Sequence, residues 1–109
     1  MDRRELARAY YNAIDADEYD RLHGLLADDF RQERGDMTLD GADTFVRFMR
    51  EERPETDTTH AVEAVYESDD GVAVEGVLRR ADGSVWFRFV DVFQFEDGQI
   101  TFLRTYANG

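Results

Sequence analysis

One acidic residue stands where a carboxylate is costly. In the segment Val85–Glu96 the odd positions read Val85, Phe87, Phe89, Asp91, Phe93, Phe95, and the even ones Trp86, Arg88, Val90, Val92, Gln94, Glu96. Side chains of a strand alternate between its faces, so Asp91 shares a face with four Phe and a Val. A carboxylate there must be paired or protonated. Burial among apolar groups raises an aspartate's pKa, and residues so perturbed are candidates for acid–base work.

The plain alternative is an ion pair, and the turn that follows decides whether one is available. If Asp97-Gly98 forms a two-residue loop, position 91 faces Arg104 across the hairpin, and Asp91 is structural. If Glu96-Asp97-Gly98 is a three-residue loop with a bulge, Asp91 faces Leu103 in apolar surroundings. Both loops are common, and a one-residue slip exchanges the faces.

Other chemistry-bearing residues are few. Tyr10 and Tyr11 lie in the first helical segment, Tyr10 on its apolar stripe, and a buried tyrosine hydroxyl usually finds a partner. His23 reads as a helix-surface residue, and His60 begins a strand. Two histidines with no i, i+4 pairing and no HExxH predict no metal site. Neither Ser68 nor Ser84 has the context of a nucleophile elbow. There is no glycine-rich phosphate loop, and no cofactor is expected. Arg31, Glu33, Arg34 and Asp36 form a charged cluster near a turn.

These residues must be held by a chain of 109 residues, the length of a single domain spanning 1–109. Residues 2–14 predict a capped helix: Asp2 and Glu5 have the spacing of a capping box, and Leu6, Ala9, Tyr10, Ala13 and Ile14 form one stripe. A second helix runs from Tyr19 to about Ala27. Phe30–Arg34 reads as a short strand, Gly35-Asp36 as a turn and Met37–Leu39 as a return. A third helix opens at Asp40-Gly41, with Phe45, Phe48 and Met49 on one face, and Pro54 stops it. Strand runs follow at about 59–67, 72–80, 84–96 and 99–107, separated by turn signals and suited to an antiparallel meander. Three helices followed by a curled antiparallel sheet make an α+β domain.

Composition bounds the partners. There is no Cys and no Lys, all 13 basic residues are Arg, and the net charge is −12. Lack of Cys excludes disulfides and thiol nucleophiles. A pI near 4.4 excludes nucleic acid, for which there is no surplus cation. No apolar run reaches the ~18 residues of a membrane span. The first ten residues carry no apolar stretch of the secretory kind, so a cytoplasmic location is expected. Many Asp residues without Lys suggest a salt-adapted protein, in which screening makes self-repulsion cheap.

The segments Arg8-Ala9-Tyr10 with Asp15, Leu25-Leu26-Ala27-Asp28-Asp29-Phe30, Leu39-Asp40-Gly41, and Val90-Asp91-Val92-Phe93-Gln94-Phe95-Glu96-Asp97-Gly98 resemble the nuclear-transport-factor-2-like superfamily, in its SnoaL-like and ketosteroid-isomerase-like branch. The resemblance covers essentially the whole chain. It implies a cone: a strongly bent sheet wrapped around three N-terminal helices, with a pocket at the open end and a homodimer formed through the outer sheet face. Ketosteroid isomerase builds an oxyanion hole from a Tyr and a protonated Asp. By resemblance those roles fall on Tyr10 and Asp91, and the inward-facing Asp favours the three-residue loop. The isomerase's first-strand base falls on Arg34, which cannot accept a proton. Phe30, Arg34, Phe45, Phe48, Met49, Phe87, Phe89 and Leu103 are the expected pocket lining.

Two functions follow. One is a cofactor-independent isomerase, cyclase or hydrolase binding a small apolar, carbonyl-bearing molecule, with Asp91 as acid and Tyr10 as oxyanion donor. The other is a non-catalytic module with a filled pocket, associating through a sheet face that carries Trp86, Val90 and Val92.

Overall fold

The structure, a computed structural model, describes residues 1–108. Helix α1 spans Arg3–Asp15, α2 Tyr19–Leu25 and α3 Ala42–Glu51. The strands are β1 Leu26–Glu33, β2 Thr38–Asp40, β3 Thr59–Glu67, β4 Val72–Arg79, β5 Val85–Glu96 and β6 Gln99–Asn108. They form one six-stranded sheet in the order β2-β1-β6-β5-β4-β3. The α+β reading holds, and β3 to β6 form the expected antiparallel meander. The sheet is nevertheless mixed, because β1 pairs with β6 in parallel. That pairing follows from the order of elements: β1 enters the sheet beside a strand 70 residues later, with no hairpin to reverse it.

Helix α1 begins as its sequence dictates, with the Asp2 carboxylate accepting from the Glu5 amide at 2.8 Å. Its buried surface is broader than the expected stripe. Ala7 and Tyr11 are buried along with Leu6, Ala9, Tyr10, Ala13 and Ile14, because the helix lies between the sheet on one side and α2 on the other. The second helix stops at Leu25, short of the expected Ala27, and β1 begins at Leu26, four residues earlier than its apolar content suggests. Asp28 and Asp29 lie within that strand.

The sheet bends strongly, and its bulges mark where. Pairing slips between Val62 and Ala64 on β3, between Leu78 and Arg79 against β5, and between Gln94 and Phe95 against β6. An extra residue on one strand bends it and increases the local twist. Gly76 on β4 lies at such a bend: a Cβ there would sit 2.5 Å from the Ala61 carbonyl oxygen and 3.0 Å from the Phe89 ring. The concave side closes over Phe30, Phe45, Phe93, Ile100 and Leu103, all fully buried. No helix among the described residues is long and apolar enough to cross a membrane.

Candidate active site

The last of those bulges sets the position of Asp91. Asp97 and Gly98 have φ of 52° and 76°, so the chain reverses in the two-residue loop, with Glu96 facing Gln99. That turn alone would set Asp91 against Arg104. The bulge then leaves Thr101 unpaired between Ile100 and Phe102, moves the register by one, and sets Asp91 against Thr105. Neither expected partner is correct. Arg104 pairs instead with Glu33 at 2.9 Å, and Leu103 faces Phe93 in the core. Asp91 does face inward, at 5% exposure, as its apolar neighbours on the strand require.

It is held by hydroxyls, not by a cation. The Tyr11 hydroxyl donates to Oδ2 at 2.5 Å and the Thr105 hydroxyl to Oδ1 at 2.6 Å. Gln32 Nε2 in turn donates to the Thr105 oxygen at 2.9 Å. Burial pushes the Asp91 carboxyl above the ordinary aspartate range, while the Thr105 and Tyr11 hydrogen bonds pull against it. Both phenols are pushed well above their usual range, first by burial and then by the charge of Asp91. They are protonated donors at neutral pH.

Tyr11, not Tyr10, reaches Asp91. Tyr10 packs its ring edge-on to Tyr11 at 5.1 Å and to Phe93 at 5.3 Å. Its hydroxyl has no protein partner among the described residues, and it lines a cavity of about 730 Å3. That volume lies within the roughly 300–1,000 Å3 of small-molecule sites.

Asp91, Arg34, Phe48, Met49, Phe87 and Phe89 also line this cavity. Phe30, Phe45 and Leu103 do not: they are core residues beneath it, and Phe30 and Phe45 pack on each other at 5.0 Å. Trp86, expected on the outer face, forms part of the cavity wall. It is the extra residue at the bulge between β4 and β5, which turns it from the strict alternation, and the Arg80 guanidinium stacks over it at 4.6 Å. Arg34 lies just beyond β1, 3.3 Å from Asp36 and 5.6 Å from the Phe48 ring centre. It supplies charge at the rim and no base.

The residue that sequence reasoning passed over is His60. It lines the same cavity, opposite Leu78 in the sheet. Its Nδ1 lies 2.7 Å from Asp15 Oδ1, and its backbone amide donates to Asp15 Oδ2 at 2.9 Å. Asp15 is the final residue of α1, one position beyond the expected end of that helix. One signal was available: Tyr11 and Asp15 are four apart, hence on one helical face, and a helix face bearing two polar groups beneath a sheet points to a shared site. Two further polar side chains complete the wall. Gln32 and Thr58 are buried, and Gln32 Oε1 and Thr58 Oγ1 lack partners among the described residues.

Three helices packed on a bent six-stranded sheet, with Asp91, Tyr10, Gln32, Thr58 and His60 on the wall of one cavity, make a nuclear-transport-factor-2-like fold. The chain belongs to the SnoaL-like family: the model of the SnoaL-like domain matches residues 7–103. No curated protein matches the sequence. Solved structures do. An NTF2-like protein of unknown function from Cytophaga hutchinsonii ATCC 33406 superposes with a TM-score of 0.85 at 16% identity, over 99% of this chain and 91% of that one. A candidate ketosteroid isomerase from Kribbella flavida DSM 17836 gives 0.81 at 24% identity, over 97% and 77%. An LEH-like epoxide hydrolase of M. tuberculosis gives 0.80 at 20%, over 95% and 80%. At these identities the likeness establishes the fold.

Proposed function

We propose that the cavity binds a small, largely apolar, carbonyl-bearing molecule and rearranges it by proton transfer, as a cofactor-independent isomerase, cyclase or hydrolase. The observation that carries this is the buried Asp91 on the cavity wall, beside a tyrosine hydroxyl left free to donate. Tyr10 would hydrogen-bond the oxygen on which charge develops, in a site whose apolar walls strengthen that bond. Asp91 would hold or return the proton, with the Tyr11 and Thr105 hydroxyls steadying its charged form. The likeness to proteins named for ketosteroid isomerisation and epoxide hydrolysis agrees with acid–base work in such a pocket. One observation favours a second reading, a binding module without turnover: Arg34 stands where the isomerase-like base would be.

The test is a screen of enones, cyclic ketones and epoxides by ligand-observed NMR, followed by turnover of the binders. Tyr10→Phe and Asp91→Asn should retain binding and lose turnover about a hundredfold. Binding with no turnover by the unaltered protein supports the module, and failure of any small molecule to occupy the cavity overturns both.

We also infer that two copies pair through the sheet face turned away from the helices. Tyr66, Val90 and Tyr106 are exposed there, at 58%, 37% and 54%, and Val90 and Tyr106 are direct neighbours across β5 and β6. An exposed apolar patch on the outer face of the sheet suits self-association.

A further inference from the structure

We propose that His60 is the general base of this cavity and that Asp15 is its positioning residue. The inference rests on the reading of the cavity as a site of proton transfer, and it supplies the group that Arg34 cannot. Asp15 grips His60 at two points, Nδ1 and the backbone amide, which fixes both the ring and its strand. A ring whose Nδ1–H is given to a carboxylate presents an unprotonated Nε2 as its remaining nitrogen. That nitrogen has no protein partner among the described residues, and His60 is part of the cavity wall. The ring packs against Tyr11 at 5.0 Å and edge-on to Phe89 at 5.6 Å. The charged and titratable groups facing it are Asp15 and Tyr11 from α1 and Asp91 from β5, while β4 presents Leu78.

The step balances without any other reagent. The C–H bond beside a substrate carbonyl breaks and its proton goes to Nε2. The electron pair moves through the adjacent carbon to the carbonyl oxygen, where the Tyr10 hydroxyl donates. Where the substrate carries a β,γ double bond, return of the proton from the imidazolium to the γ carbon completes an isomerisation.

The probe is 5-nitrobenzisoxazole, a small planar molecule opened by a base. Nε2 takes the C3 proton, the C–H pair becomes the new C–N bond of a nitrile, and the N–O bond breaks to release a coloured nitrophenolate. His60→Gln should lower kcat/KM about a hundredfold. Asp15→Asn should lower kcat at least tenfold with KM little changed and alter the pH–rate profile, and Asp15→Glu should recover part of the loss. A rate no better than free imidazole, or full activity in His60→Gln, overturns the assignment. In that event, probe-induced shifts of the Tyr10 and Phe89 resonances would leave the pocket reading intact, and their absence would remove both. Nitrogen-15 NMR of the unaltered protein gives an answer independent of any variant. The tautomer with Nδ1–H and a bare Nε2 is expected, and the opposite tautomer refutes the proposal.

Discussion

Two adjacent tyrosines allow stability and chemistry to be separated by removing one oxygen at a time. Tyr11→Phe deletes the 2.5 Å hydrogen bond to Asp91 and leaves a carboxylate oxygen buried without its donor. A hydrogen bond to a charged group contributes about 1.5–3 kcal/mol. For a chain of this length a kilocalorie shifts the melting temperature by about 4 °C, so a fall of about 6–12 °C is expected. Tyr10→Phe keeps its buried ring and loses only a hydroxyl that faces the cavity, so its stability should stay within about 0.5 kcal/mol of the parent. Urea unfolding followed by fluorescence at neutral pH measures both. The Tyr11→Phe loss should shrink in acid, where a protonated Asp91 accepts only a neutral hydrogen bond. Equal losses for the two variants, or a larger one for Tyr10→Phe, would refute the assignment of Tyr11 as the structural partner and Tyr10 as the free donor.

Asp91→Asn probes the same group through pH. Because burial raises the Asp91 pKa, the stability this residue confers is full below the unfolded value of about 3.9 and is lost as pH rises through the folded value. Asn is neutral throughout, so the variant should gain on the parent as pH rises from about 4 toward neutrality; a constant difference across pH would contradict the raised pKa. Val90→Arg should convert a dimer to a monomer in light scattering after size exclusion, with the melting curve of the cavity residues preserved; an unchanged mass would show that this face is not the contact. With 25 acidic residues against 13 basic, the melting temperature should climb through molar KCl as repulsion is screened, and indifference to salt would remove the idea of salt adaptation.

What the sequence made legible were the features with local causes. The cap at Asp2, the stop before Pro54 and the inward face of Asp91 follow from spacing within a few residues. The partner of Asp91 does not. Its register depends on a bulge at Thr101 that no turn residue announces, and one extra residue replaces Arg104 or Leu103 by Thr105. That Tyr11 and not Tyr10 reaches Asp91 has another cause: a helix enclosed on two sides buries a wider arc than a single stripe, so periodicity could not choose between neighbours 100° apart. Trp86 was misassigned because alternation fails at a bulge. His60 and Asp15 lie 45 residues apart, and no local pattern joins them.

Helix α1 carries Tyr10, Tyr11 and Asp15 within two turns, while the walls that would meet a ligand's flanks, Leu78, Trp86, Phe87 and Phe89, belong to β4 and β5. Three of the cavity's polar groups thus ride on one rod, while Asp91 and His60 stand with the shape-giving groups on the sheet. Replacing a wall side chain can reshape what fits without disturbing the spacing among the three helix residues. A change beneath the rod, at the fully buried Ala7 or Ala13, would displace all three at once. Such a partition lets the cavity drift toward new molecules by substitutions at the wall positions of β4 and β5, while the helix keeps its three polar groups in fixed relation.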